Sequence, residues 1–173
     1  MTTSLYHLGF GPDDLGDRPP TTALVSGDPE RTDQIARRYL DGAVELSRHR
    51  GLHSWRGEWQ GRPLLAATSG MGAPSLSIVV NELVQLGVTT IIRVGTSGGI
   101  QPRIRGGDLV ITTGALTRQG AARDIAPPDY PAVADPFLVV AMAAAARELG
   151  LPHHVGVTAS VDTFYEGQGR VGG

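Results

Sequence analysis

Apolar positions along this chain keep two rhythms, one of helices and one of strands. Residues 73–87, APSLSIVVNELVQLG, put Leu76, Val79, Val80, Leu83 and Leu86 on one helical face, with Pro74 near the start and Gly87 at the stop. Residues 28–40 and 135–150 both open on Asp-Pro, a cap followed by the one residue that needs no N–H in a first turn, and predict two further helices. Short apolar or β-branched runs predict strands at 21–27, 88–95, 107–116 and 153–165. Residues 53–70 predict a strand pair turning at Gly61. Residues 117–134, with Pro127, Pro128 and Pro131, read as a long loop.

Strands and helices alternate without repeat or linker. That order predicts a single α/β domain over 1–173, with a mostly parallel or mixed central sheet flanked by helices. The 173 residues suffice for one core, and 40% hydrophobic with 18% charged residues fits a soluble globular chain. A net charge of -2 argues against a general nucleic-acid or membrane-surface binder, and no apolar run approaches the ~20 residues that span a bilayer. No signal peptide is visible at the N-terminus, so a cytoplasmic location is expected. With no cysteine, thiolate metal sites and cysteine nucleophiles are excluded. All 15 basic residues are arginine, which removes a Walker A lysine and a Schiff base. A bound phosphate must therefore be held by arginine, hydroxyls and backbone N–H groups.

The stretch IIRVGTSGGI, 91–100, poses the chemical question. Gly95-Thr96-Ser97-Gly98-Gly99 fits the G-x-S-x-G pattern of a serine nucleophile, but such an elbow needs a helix directly after the turn. Pro102, Gly106 and Gly107 leave no room for one, and His153 and His154 are the only later histidines. The competing reading is an anion cradle. Arg93 falls at the C-terminal end of a core strand, where ligands of open α/β sheets bind; an unpaired buried charge there is costly, so Arg93 needs a partner. Arg31 falls in the first turn of a helix, where a cation opposes the dipole unless an anion or a neighbouring acid such as Asp28 compensates. His49 and His53 could pair on a metal only if helical, and the surrounding sequence reads as extended. The run DTFYEGQGR, 162–170, groups a ring, an amide and a cation suited to a planar heteroaromatic ligand.

Taken together, HLGF (7–10), VSGDPERTDQIA (25–36), HRGLHSWRGEWQGRPLLAATSGMGAPSLSIVVNELVQLG (49–87), IIRVGTSGGIQPRIRGGDLVITTGA (91–115), YPAVAD (130–135) and VGVTASVDTFYEGQGR (155–170) closely resemble the uridine phosphorylase branch of the nucleoside phosphorylase superfamily. The likeness runs from His7 to Arg170. It implies a nucleoside phosphorylase-like fold and reversible phosphorolysis of uridine to uracil and ribose 1-phosphate, with inorganic phosphate as co-substrate and no cofactor or metal. By the same resemblance Gly27, Arg31, Arg50, Arg93 and Thr96 bind phosphate, with Arg50 lent by a neighbouring subunit. His7, also lent, would meet the ribose 5′-hydroxyl. Thr96, Gly98, Phe164, Gln168 and Arg170 would complete the nucleoside site, and Arg93, Gln168 and Arg170 would carry the catalysis. The partners expected are uridine or a related nucleoside, phosphate, and further copies of the chain in a hexamer built of dimers. The family chain continues past Gly173 with a Glu-Met-Glu segment that holds the ribose, so this chain is expected to be C-terminally incomplete. The glutamate that holds an interface cation in some members aligns with Gly51, so that ion is not expected. Two alternatives stay open: a phosphorylase or nucleosidase for another nucleoside, and an inactive remnant that binds phosphate or nucleobase.

Overall fold

The computed structural model describes residues 4–169. Contacts divide the chain into two units, Met1–Thr96 and Ser97–Gly173.

The first unit holds β1 (Thr22–Ser26), α1 (Pro29–Tyr39), β2 (Asp41–Ser47), β3 (Ser54–Trp59), β4 (Arg62–Thr68), α2 (Ala73–Gln85) and β5 (Thr90–Arg93). Its strands form one mixed sheet in the order β2-β3-β4-β1-β5. β1 lies parallel to both β4 and β5, while β2, β3 and β4 run as an antiparallel meander. The β3–β4 connection is a two-residue turn in which Gln60 (φ 49°) and Gly61 (φ 73°) are both left-handed. Such a turn matches the twist of the paired strands, and glycine adopts it without a Cβ penalty.

Helices cover both faces, and the alternation along the strands decides which residue meets which helix. Leu65 and Ala67 of β4 join Ala23 and Val25 of β1 against Val79 and Leu83 of α2, with Leu8 and Phe10 closing the same core. Ala66 faces the other way and packs with Trp55, Ala36 and Leu40. Each fully buried leucine there contributes roughly 1.5–3 kcal/mol of transfer free energy. α1 starts where expected: Asp28 is extended and its side chain accepts the Glu30 N–H at 2.9 Å. β2 was not expected from the sequence. It is an edge strand whose residues alternate poorly between buried and exposed, so it carries no period-2 signal.

The second unit holds β6 (Leu109–Arg118), α3 (Gly120–Ile125), α4 (Pro136–Glu148) and β7 (His153–Val161). β6 and β7 pair in parallel, from Leu109 against His153 to Arg118 against Val161. α4 is capped by Asp135, which accepts the Leu138 N–H at 2.9 Å, and it packs Ala143 and Ala146 on Ile111. The stretch 117–134, read as a loop, contains α3 and a single bridge between Gly114 and Val133. Glycine at 114 lets the bridge approach closely: a Cβ there would meet the Ala132 carbonyl oxygen at 3.0 Å, so a larger residue needs that backbone to give by a few tenths of an ångström. No helix among the described residues is long and apolar enough to cross a membrane.

Candidate functional site

The parallel register gathers the expected anion ligands. Ser26 pairs with Thr68 and Val25 with Arg93, so β1, β4 and β5 end at the same sheet edge. There the chain turns into α1 through Ser26-Gly27-Asp28, with the Asp28 N–H 3.3 Å from Ser26 Oγ. Arg31 reaches back from the first turn of α1, its Nη1 3.5 Å from the same Ser26 Oγ. Arg93 approaches from β5. Its Nη2 would lie 3.5 Å from a Cβ placed on Gly27, and its Nη1 fills the space a Cβ on Gly95 would need. Both guanidinium groups thus lie against the Ser26–Gly27 turn, Arg31 beside Ser26 and Arg93 beside Gly27.

Among the described residues neither Arg31 nor Arg93 has a carboxylate within salt-bridge distance. Asp28, the acid that might have answered Arg31, is spent on the helix cap. Two cations at a helix N-terminus with no acid between them form an arrangement that an oxyanion completes. Arg93 is exposed rather than buried, so no desolvation cost forces a partner on it. An anion is favoured instead by two cations, neither paired with a carboxylate among the described residues, lying against one turn at the start of α1. Thr96 follows in the exposed segment after β5 and closes the first unit.

Gly95 gives a direct prediction. Alanine there must push the Arg93 guanidinium aside, and a flexible side-chain end yields easily. Gly95→Ala is therefore expected to leave the melting temperature nearly unchanged while weakening phosphate binding about tenfold, one charge-assisted hydrogen bond's worth. Calorimetric titration with inorganic phosphate, beside a thermal melt, checks both halves.

His7 and Arg50 form a separate group. No hydrogen bond, ion pair or ring contact among the described residues links them to Arg31 or Arg93. Tyr6 joins them to each other: its ring stands edge-on to His7 at 4.9 Å, the Arg50 guanidinium lies 4.8 Å over it, and Arg50 Nη2 donates to its hydroxyl at 2.9 Å. Arg50 sits at φ 54°, a conformation that costs a non-glycine residue roughly 1–2 kcal/mol. Bonds on either side hold the turn in place. Leu52 N–H donates to His49 O at 2.9 Å, and Arg48 is tied to Glu45 at 2.9 Å and to Asp33 at 3.1 Å.

Two acids the sequence reading passed over organise these neighbours. Glu82, on α2, is 7% exposed, and its carboxylate accepts the backbone N–H groups of His7 and Leu8 and faces the His7 ring. Burial pushes its carboxyl up, but the bonds from Leu8, the His7 ring and the His7 N–H outweigh burial and hold it below its ordinary value. A signal was present: Glu82 stands between Val79 and Leu86 along the buried side of the helix. Asp33, on α1, accepts from Trp55 Nε1 at 2.8 Å and Arg48 at 3.1 Å, and lies 3.1 Å from His53 Nδ1.

His49 and His53 do not pair. His49 lies in a short 3₁₀ turn, while His53 turns to Asp33 and Arg48. No group of three or more metal-ligating side chains occurs among the described residues. Ser97 has no helix after it, since 94–100 carry no regular structure, which removes the setting a nucleophile elbow requires. His154 is held by Asp108 at 2.9 Å, and His153 Nδ1 lies 3.0 Å from Leu151 O.

Gly98, Phe164 and Gln168 belong to the second unit. Gly98 lies in the irregular segment after β5. Phe164 packs edge-on to Tyr165 at 5.2 Å, and Gln168 lies in an exposed turn after β7. Arg170 lies outside the described residues. A cleft of about 410 Å³ in the first unit, lined by Leu15, Arg18, Asp41, Arg56 and Glu58 among others, contains none of the expected ligands.

Comparison with known proteins adds to this geometry. A family model described as "Phosphorylase superfamily" matches residues 21–171. The chain belongs to this superfamily. It is 46% identical over 168 residues to a protein named "Uridine phosphorylase" from Klebsiella aerogenes, covering 97% of this chain and 65% of that one. A protein of the same name from Thermococcus kodakarensis is 40% identical over 167 residues, covering 96% of this chain and 58% of that one. A "Purine nucleoside phosphorylase DeoD-type" from Streptococcus uberis is 37% identical over 161 residues, covering 92% and 66%. The chain thus spans less than two thirds of the length of these relatives.

Proposed function

We propose that this chain carries the phosphate site, and part of the nucleoside site, of an enzyme that splits uridine with inorganic phosphate into uracil and ribose 1-phosphate. The observation that supports this most is that Arg31 and Arg93 both lie against the Ser26–Gly27 turn and neither has a carboxylate within salt-bridge distance among the described residues. The superfamily match and the uridine phosphorylases among the relatives point to the same reaction.

In this reading Gly27, Arg31, Arg93 and Thr96 hold the phosphate dianion at the edge of the sheet. Its charge favours the positive anomeric carbon that develops as the glycosidic bond stretches, and its fixed place removes the entropy of a bimolecular encounter. The uracil leaves with negative charge. Gln168 and Arg170 stabilise that charge through the imide edge, while Phe164 packs against the ring and Gly98 lets the chain pass close to the nucleoside. Phosphate is a co-substrate, and neither metal nor organic cofactor is needed.

Arg50 reaches the phosphate, and His7 the ribose, of a neighbouring copy, so the active form is an oligomer. The grouping of these two residues on Tyr6, apart from the Arg31–Arg93 pair, supports a shared site. A cytoplasmic location goes with this chemistry.

The test is the release of uracil from uridine, followed by ultraviolet absorbance with and without phosphate. Turnover only with phosphate supports the proposal. Release without phosphate indicates a nucleosidase, phosphate binding without turnover indicates a binding remnant, and phosphate-dependent turnover of inosine alone indicates a purine enzyme, as the Streptococcus uberis relative is named.

A further inference from the structure

We propose that Glu82 is a positioning residue that fixes His7 in the Nδ1–H tautomer, so that Nε2 faces the ligand as a hydrogen-bond acceptor and selects a nucleoside whose sugar hydroxyl donates. The choice of ligand rests on the function proposed above, but the tautomer does not.

The geometry leaves little freedom. Glu82 Oε1 lies 3.0 Å from the His7 backbone N–H and 2.6 Å from His7 Nδ1. Oε2 accepts the Leu8 N–H at 2.8 Å and a longer contact from the His7 N–H at 3.2 Å. The carboxylate is buried, and the bonds it receives keep it ionised at neutral pH. An ionised carboxylate only accepts, so the proton between Oε1 and Nδ1 belongs to the ring. A neutral imidazole with its proton on Nδ1 has a lone pair on Nε2. The Tyr6 ring, edge-on to His7 with an interplanar angle of 89°, limits how far the imidazole can turn. His7 itself is only partly buried, which leaves it open to a ligand. A sugar hydroxyl meeting Nε2 must then point its hydrogen at the protein, and a 5′-deoxy sugar offers no such donor.

Glu82→Gln separates this role from mere support. The amide oxygen, placed where Oε2 stands, can keep the Leu8 N–H at 2.8 Å and the His7 N–H at 3.2 Å, which directs the NH₂ group toward Nδ1. That nitrogen must then accept, and the ring proton moves to Nε2. Long-range ¹H–¹⁵N correlation spectra of the histidine-labelled full chain report the tautomer, with His7 assigned by its loss in His7→Asn. On the alkaline plateau of the spectra, where the ring signals no longer move with pH, the wild type is expected to show a protonated Nδ1 and a bare Nε2, and Glu82→Gln the reverse. The uridine hydroxyl donates to a bare Nε2 and accepts from a protonated one, so uridine is expected to bind Glu82→Gln with nearly wild-type affinity, while 5′-O-methyluridine, which can only accept there, is expected to gain about tenfold. A wild-type spectrum with the proton on Nε2 overturns the proposal without any variant. So does a folded Glu82→Gln that keeps the wild-type tautomer, or one to which 5′-O-methyluridine binds no better than to wild type. Failure of wild type to bind uridine would defeat the nucleoside reading while the spectrum still decided the tautomer.

Discussion

Arg93→Ala is expected to weaken phosphate binding by roughly 10–150-fold, the value of one hydrogen-bonded charge on a dianion, while leaving the fold intact. Arg93 sits at the exposed end of β5 and makes no ion pair among the described residues, so its loss should change stability by no more than about 0.5 kcal/mol. Its value lies in where the guanidinium stands: over Gly95 and beside Gly27, the residue next in the chain to the Ser26 whose hydroxyl Arg31 reaches. If the two arginines share one anion, they are coupled. Arg31→Ala should then cost a similar factor, and the double variant should bind no more tightly than a nonspecific surface. Calorimetric titration of the four proteins with phosphate, with a thermal melt of each, checks this. Equal phosphate affinity in wild type and Arg93→Ala would remove the residue from the site.

Asp33→Ala should be the more damaging change for the fold. Asp33 satisfies the Trp55 indole N–H at 2.8 Å, faces His53 at 3.1 Å and anchors Arg48 at 3.1 Å. Trp55 is 7% exposed, so its orphaned N–H would find little water. Leaving such a donor unpaired costs about 1–3 kcal/mol, enough to lower the melting temperature by several degrees. The pH dependence has a definite sign. Burial pushes the Asp33 carboxyl up, but the bonds from Trp55, His53 and Arg48 outweigh it and hold the group below its ordinary 3.8. Its stabilisation is therefore full above 3.8 and fades as the pH falls through the lower folded value. Melts of wild type and Asp33→Ala should differ most near neutrality and converge in acid below that window. A difference that stayed constant into acid would show that packing, not the carboxylate, was lost. Arg48 and His53 flank the turn that carries Arg50, so the variant should also loosen that arginine.

Much of this was legible in the sequence, for reasons particular to each element. Asp28-Pro29 and Asp135-Pro136 announced α1 and α4 because cap chemistry is local. Gly61 announced the β3–β4 hairpin because a tight turn needs left-handed residues. α2 was read from its apolar stripe, of which Val79, Leu83 and Leu86 are buried. β2 was missed because it is an edge strand with no regular alternation, and α3 because six residues are too few to show a period. The candidate ligands Arg31 and Arg93 could be named from local context, but their place against one turn depends on β1 pairing in parallel with β5, a nonlocal fact. The exposure of Arg93 and the partners of Asp33 and Glu82 were hidden for the same reason. A lone acid on a helix looks solvent-facing until the strand or N-terminal segment that covers it is placed.

The most direct test of the shared cradle is a crystal structure of the chain soaked in phosphate. The anion should refine within hydrogen-bonding distance of both the Arg31 and the Arg93 guanidinium groups, against the backbone at Gly27. Density for phosphate on only one of these arginines, or at another place on the surface with both left bare, would contradict the account.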